Sequence, residues 1–226
     1  MSRQYAFDLA APPTYRAGDY FRAPSNADAW AQVLEAPWPG GRMMLIGAEG
    51  VGKSHLAHIW AERAGAEIVA ARDLGRADLG RIAGALVVDD APLLAGDPAG
   101  EEALFHLWNR AGPLLITAAL PPRDWGLALP DLASRVLSMA QARIEPPDDA
   151  LLAAVLVKLF ADRQVHVQPS LIAYLAARME RSLAAARRLV DELDRRALRL
   201  GRPVTRALAA SVVGGGASDL DSGPDE

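Results

Sequence analysis

The stretch GAEGVGKS (Gly47–Ser54) constrains this chain more than any other. It follows the apolar run MMLI (Met43–Ile46) and precedes HLAHIWAERA, whose apolar residues recur at helical spacing. Glycines at these positions let the backbone curl so that its N–H groups point inward, and the start of the following helix adds positive potential for phosphate. A strand, such a loop and a helix in succession require a layered α/β unit with the loop at the end of a strand. In this pattern Lys53 reaches the β- and γ-phosphates and the Ser54 hydroxyl is a ligand for Mg²⁺. The predicted nucleotide-binding segment is therefore Gly47, Ala48, Glu49, Gly50, Val51, Gly52, Lys53, Ser54 and His55.

A second stretch completes the site. ALVVDD (Ala85–Asp90) is an apolar strand ending in two acids. With a phosphate loop upstream, Asp89 is predicted to hold Mg²⁺, directly or through water, and Asp90 to polarise the attacking water as a catalytic residue. His55 and His58 share a helix but lack a third ligand-type residue nearby, so a metal site at that pair is not expected.

The remaining pattern alternates strands with helices. Strands are predicted at Met43–Ile46, Glu67–Ala70, Ala85–Asp89, Leu114–Thr117 and Ala142–Glu145, and helices at His55–Ala64, Leu74–Ile82, Glu101–Arg110 and Asp131–Leu137. Such alternation predicts a parallel sheet covered on both faces. After Pro146 and Pro147 the pattern becomes helical throughout, over Asp149–Arg163, Ser170–Met179, Leu183–Leu200 and a short segment from Thr205, with Asp148 as the first N-cap. The expected organisation is an N-terminal segment (1–18), an α/β nucleotide-binding domain (19–146), a helical lid (147–213) and an acidic tail (214–226).

Composition narrows the class. A hydrophobic share of 51% supports a folded core, and the absence of cysteine excludes disulfides and thiolate chemistry. No apolar run reaches the roughly 18 residues of a membrane span, and Asp8 interrupts the N-terminus before a signal-type run develops, so a cytoplasmic location is expected. The net charge of -4 equals the charge of the tail acids Asp219, Asp221, Asp225 and Glu226, which leaves a neutral body. That tail has too little apolar surface to fold, and a neutral body argues against bulk nucleic-acid binding. The lid arginines, among them Arg178, Arg181, Arg187, Arg188 and Arg195, are interspersed with Glu180, Asp191, Glu192 and Asp194, as on a solvated face.

In order along the chain, DYFRAPSNADAW, GKSHLAHIWA, LVVDDAP, LLITAALPPRDWGLALPDLASRV and ARIEPPD resemble the AAA+ module of the bacterial replication initiator DnaA, over about Asp19 to Val213. The resemblance implies a P-loop AAA+ fold, bound ADP or ATP with Mg²⁺, and a role in replication initiation. It ends at the lid: the helix-turn-helix DNA-binding domain that follows in DnaA has no counterpart here, so direct sequence-specific DNA binding is not expected. This layout resembles the Hda-type regulators of the same family, which promote hydrolysis of initiator-bound ATP.

That second likeness gives the N-terminal stretch QYAFDL a meaning. Hda-type proteins carry near this position a peptide of the Q-L-x-L-x-L kind that docks in a hydrophobic pocket of the DNA polymerase sliding clamp. Gln4, Phe7 and Leu9 match its first, fourth and sixth places, while Tyr5 stands where leucine is usual. An extended peptide with alternating apolar anchors suits a preformed groove.

By the same resemblance Arg135, in LPDLASRV, matches the arginine finger, a guanidinium that neutralises charge at a neighbouring molecule's γ-phosphate. The alternative for Arg135 is a local partner such as Asp131. Two positions depart from the family. The acidic first sensor falls on Ala119, with Thr117 the nearest polar residue, and the lid arginine falls on Ala184, with Arg181, Arg187 and Arg188 as substitutes. Weak intrinsic hydrolysis is therefore expected, with DnaA and the clamp as partners and homo-oligomerisation open. The alternative function is an autonomous AAA+ ATPase, such as a helicase loader or a DnaA-like initiation factor, that uses Asp90 for its own hydrolysis.

Overall fold

The computed structural model describes residues 15–78, 80–82 and 84–214. Gln4, Phe7 and Leu9, and the tail from residue 215, lie outside the described residues.

Strands β1 (Arg42–Ile46), β2 (Glu67–Ala70), β3 (Leu86–Asp89), β4 (Leu114–Ala118) and β5 (Ala140–Arg143) form one parallel sheet in the order β2-β3-β4-β1-β5. The central strands β1, β3 and β4 are buried on both faces, which is why they read as continuous apolar runs. The alternation of β1 sorts its side chains between two cores. Met44 and Ile46 join Leu86, Val88, Leu114 and Ile116 on one face, under α3 (Pro98–Arg110) and α4 (Pro130–Leu137). Met43 and Leu45 join Val87 and Leu115 on the other, against α1 (Pro24–Leu34) and α2 (Lys53–Ala64).

The lid follows as α5 (Asp149–Asp162), α6 (Pro169–Ala176), α7 (Leu183–Leu200) and α8 (Arg206–Gly214). It has a core of its own around Leu152, Leu156, Phe160, Leu175, Val190 and Leu193. Asp148 caps α5 as predicted, its carboxylate accepting the Leu151 N–H at 2.7 Å. Helix α8 runs to Gly214, one residue into the segment read as tail.

Three readings change. The helix predicted over Leu74–Ile82 does not form: the chain makes a 3-10 turn over Ala71–Arg76 and then leaves helical geometry. Asp78 accepts the Gly80 N–H at 3.1 Å, a local bond that competes with helix. Gly75 meanwhile packs so close to α3 that an added Cβ would lie 3.0 Å from the Gly100 nitrogen. Strand β5 begins two residues before its predicted start, at Ala140, because its register follows Met43 of β1. Helix α1, which the hydrophobic pattern did not reveal, starts on Pro24, and Asn26 locks its entry by accepting the Ala23 N–H at 2.9 Å and donating to Phe21 O at 2.8 Å.

Candidate nucleotide site

The sheet order brings the C-terminal ends of β1, β3 and β4 side by side, where open α/β sheets hold their ligands. From β1 the chain enters the glycine loop, where Gly50 and Gly52 adopt φ of +71° and +109°. Such left-handed geometry suits glycine, and Gly52 directly precedes α2. Lys53 is buried, and its ammonium donates to Gly47 O and Ala48 O, each at 2.9 Å. Burial lowers its pKa, opposed by the negative charges of Asp90, Asp89 and Glu49.

Ser54, on the first turn of α2, faces the end of β3. Its hydroxyl lies 3.0 Å and 3.2 Å from the two carboxylate oxygens of Asp89. Thr117, fully buried on β4, donates to Asp89 Oδ1 at 2.5 Å and accepts the Asp90 N–H at 2.9 Å. Asp90 has φ of +56°, which places its side chain past the strand end. Its carboxyl pKa is raised by burial and by Asp89 alongside, against the pull of Lys53. The predicted residues Lys53, Ser54, Asp89 and Asp90 are thus brought together. A hydroxyl and a carboxylate in contact form an oxygen donor set that fits Mg²⁺, an ion that takes its other ligands from water and phosphate. Among the described residues no group of three or more His, Asp or Glu side chains is arranged to hold a metal by itself.

Beside the loop is a cavity of about 580 Å³, within the usual range for a nucleotide-sized ligand. Gly50, Gly52, Lys53, Ser54 and His55 line one side, Tyr15, Tyr20 and Phe21 a second, and the lid residues Leu151, Val155, Leu183, Ala184 and Arg187 a third. The segment before α1 and the lid meet through Asp19 and Lys158, 3.3 Å apart. Lys158 also donates to Asp162 at 2.7 Å, and that bond is the main reason its pKa is raised. Sequence reasoning missed Tyr20, Phe21, Asp19 and Lys158, since their roles depend on segments distant in the chain meeting at the loop.

The lid touches the glycine loop through its backbone. Gly50 O accepts the N–H groups of Leu183 at 2.8 Å and Ala184 at 3.3 Å, the first two residues of α7. The Ser182 hydroxyl caps the next turn by accepting the Ala185 N–H at 3.2 Å. Helix-start donors that normally need side chains or water are therefore satisfied by the loop itself. Of the three arginines considered as lid substitutes, only Arg187 lines the cavity. Arg181 is held by Asp149 at 2.8 Å and Pro147 O at 3.1 Å, and Arg188 pairs with Glu180 at 3.5 Å.

His55 combines two positions, the cavity wall and the anchor of the N-terminal segment. Its Nε2 lies 2.9 Å from Arg16 O, and its ring packs against those of Tyr15 and Tyr20. Burial lowers the pKa of His55 and, one turn on, of His58. The folded state therefore takes up these protons less readily than the unfolded chain. As pH falls through the ordinary imidazole value of about 6.5, protons bind the unfolded chain first and stability is lost. The urea midpoint is expected to fall between pH 7.5 and 5.5, and to fall less in a His55→Gln, His58→Gln double variant. An equal fall in both proteins would refute this assignment.

Arg135 is not among the cavity-lining residues. It sits in the last turn of α4, donates to Asn109 Oδ1 at 2.9 Å and lies over the Phe105 ring at 4.5 Å, so its local partner is Asn109 and not Asp131. The loop before α4 is fixed by Glu101, 2% exposed, whose carboxylate accepts the Ala128 and Leu129 N–H groups at 3.0 and 2.7 Å. Ala119 lies just beyond β4 and brings no acid to the site.

Comparison with known proteins agrees with this architecture. No family model matches the chain. The DnaA initiator of Thermomicrobium roseum is 27% identical over 234 aligned residues, covering 89% of this chain and 50% of the initiator. The chain thus spans about half the length of that relative. Domain III of Thermotoga maritima DnaA superposes with a TM-score of 0.75 at 18% identity, covering 90% of this chain and 97% of that domain. AMPPCP-bound DnaA from Aquifex aeolicus gives a TM-score of 0.66 at 16% identity, covering 83% and 67%. The RuvB branch-migration motor of Thermotoga maritima gives 0.58 at 18% identity, covering 77% and 61%. The described residues thus have the P-loop AAA+ fold seen in domain III of DnaA.

Proposed function

We propose that this protein binds ADP or ATP with Mg²⁺ and acts in the cytoplasm as a negative regulator of replication initiation, docking on the sliding clamp and presenting Arg135 to ATP bound by DnaA. The observation that carries the nucleotide reading is the contact of Ser54 with Asp89 at 3.0 Å, beside a glycine loop and a lidded cavity. Bound Mg²⁺ would neutralise charge on the β- and γ-phosphate oxygens. Lys53 and the loop N–H groups would hold the phosphates, Ser54 and Asp89 the ion, and Arg187 would take the place of the lid arginine. Tyr20, Phe21 and Leu151 would cover the base. The adenine assignment is carried over from DnaA, which has been solved with AMPPCP in Aquifex aeolicus.

The regulatory part is supported by the QYAFDL pattern of Gln4, Phe7 and Leu9 and by the geometry of Arg135. A guanidinium held by Asn109 and stacked on Phe105 is pre-oriented, which lowers the cost of placing it at a partner's phosphate. The test is ATP turnover by purified DnaA on clamp-loaded DNA. Adding the protein is expected to raise turnover, and Arg135→Ala to remove most of that gain, since arginine fingers supply about 10³-fold or more. No stimulation, or full stimulation by Arg135→Ala, would overturn the proposal. A Gln4→Ala, Phe7→Ala variant should lose clamp affinity and keep nucleotide affinity.

A second reading is favoured by Asp90, which follows Asp89 at the end of β3 and whose carboxyl pKa is raised by burial and by Asp89. An autonomous ATPase would use it to orient water. Steady turnover by the protein alone that Asp90→Asn abolishes would establish that reading in place of the first.

A further inference from the structure

We infer that Thr117 positions both acids of the site, and through them sets how a bound nucleotide responds to Mg²⁺. The inference rests on the nucleotide-binding reading above.

A threonine hydroxyl has one proton to give and lone pairs to accept with. Thr117 uses both capacities inside the sheet, where water cannot compete: its proton goes to Asp89 Oδ1 at 2.5 Å, and its oxygen takes the Asp90 N–H at 2.9 Å. Among the described residues the hydrogen bonds to the Asp89 carboxylate come from Ser54 and Thr117 alone. These two anchors differ in kind. The Ser54 hydroxyl can turn its lone pairs to a cation while its proton stays with Asp89, so its orientation is shared between ion and acid. The bond from Thr117 stays, because β4 is locked between β1 and β3 and Thr117 is 0% exposed. Thr117 is then what holds the Asp89 oxygens toward the ion.

The same hydroxyl fixes Asp90. A residue other than glycine at φ of +56° costs roughly 1–2 kcal/mol, and surrounding structure must over-determine it. The bond from Asp90 N–H to Thr117 does so, and it sets the direction in which the acid leaves the strand. One buried hydroxyl therefore couples the ion-holding acid to the acid placed beside it. Thr117 acts through Asp89 and Asp90 and is a positioning residue.

Thr117→Val removes the hydroxyl with little change of shape, and Thr117→Ser keeps it. Nucleotide affinity is measured for the wild type and both variants, in Mg²⁺ and in EDTA. Wild type and Thr117→Ser are expected to tighten with Mg²⁺. Thr117→Val should bind within about twofold of wild type in EDTA but require about 10- to 100-fold more Mg²⁺ for the same tightening, the usual effect of losing a hydrogen-bond partner behind a metal ligand. Hydrogen exchange at the Asp90 amide should be slow in wild type and Thr117→Ser and fast in Thr117→Val. If Thr117→Val does not fold, Thr117→Ala takes its place in both measurements. A wild-type Mg²⁺ response in a folded variant lacking the hydroxyl overturns the inference and leaves nucleotide binding standing. Failure of wild type to bind nucleotide in either condition overturns the reading beneath it.

Discussion

Gly50→Ala is expected to lower stability by about 3–4 kcal/mol and to weaken nucleotide binding at the same time. An added Cβ would lie 2.3 Å from the Ser182 hydroxyl oxygen, 2.7 Å from Ala184 Cβ and 3.2 Å from the Ala184 nitrogen. These atoms belong to the start of α7 and are not free ends of flexible chains, so the lid must retreat. Retreat breaks the bonds from Leu183 and Ala184 N–H to Gly50 O, worth about 1 kcal/mol each. The φ of +71° adds about 1–2 kcal/mol for a non-glycine residue. Because the lid has its own core, it should move as a folded unit and carry Leu183, Ala184 and Arg187 away from the cavity. Gly65→Ala is the control. Gly65 has φ of +61° at the end of α2 with nothing within 4 Å of an added Cβ, so it isolates the backbone term at about 1–2 kcal/mol. Denaturant titration and nucleotide binding of the two variants decide the matter: equal losses would show that the lid contact contributes nothing.

How much of this was legible beforehand depended on the range of the interaction. The glycine loop, the acids ending β3 and the change to a purely helical pattern after Pro147 are local signals, and each corresponds to an element at its predicted place. Helix α1 also had local signals, Pro24 and Asn26, which apolar periodicity alone does not weigh. The segment from Leu74 to Ile82 misled for the opposite reason. Its spacing is helical, but Gly75 serves a close approach to α3 and Asp78 makes a turn, and neither need is visible in periodicity. The choice among Arg181, Arg187 and Arg188 depended on how α7 lands on the loop, a contact between chain segments far apart in sequence. Thr117 stood out in the sequence only as a polar residue near a missing acid; its bridging of Asp89 and Asp90 required the strand order β3-β4-β1.

Lys53→Met should separate function from stability. The Lys53 ammonium has three donors, and two are taken by Gly47 O and Ala48 O at 2.9 Å, which leaves one to meet a phosphate oxygen. That charge-assisted bond and the attraction behind it are worth about 3 kcal/mol, so the variant should bind nucleotide roughly 100-fold more weakly. Stability should move the other way. Lys53 is 6% exposed and burial lowers its pKa, so the folded state holds this proton less readily than the unfolded chain. At neutral pH, well below the ordinary lysine pKa, that difference is a cost to folding. Methionine has a similar length and no charge, and it removes the cost while leaving the two loop carbonyls to water or to neighbouring N–H groups. The urea midpoint of Lys53→Met without nucleotide is expected at or above that of wild type. Added nucleotide should raise the wild-type midpoint by linkage and leave the variant nearly unmoved. A variant that is less stable and still binds normally would mean that Lys53 is a structural clamp of the loop. The predicted outcome, gain of stability with loss of binding, is what a buried charge kept for an anionic ligand produces.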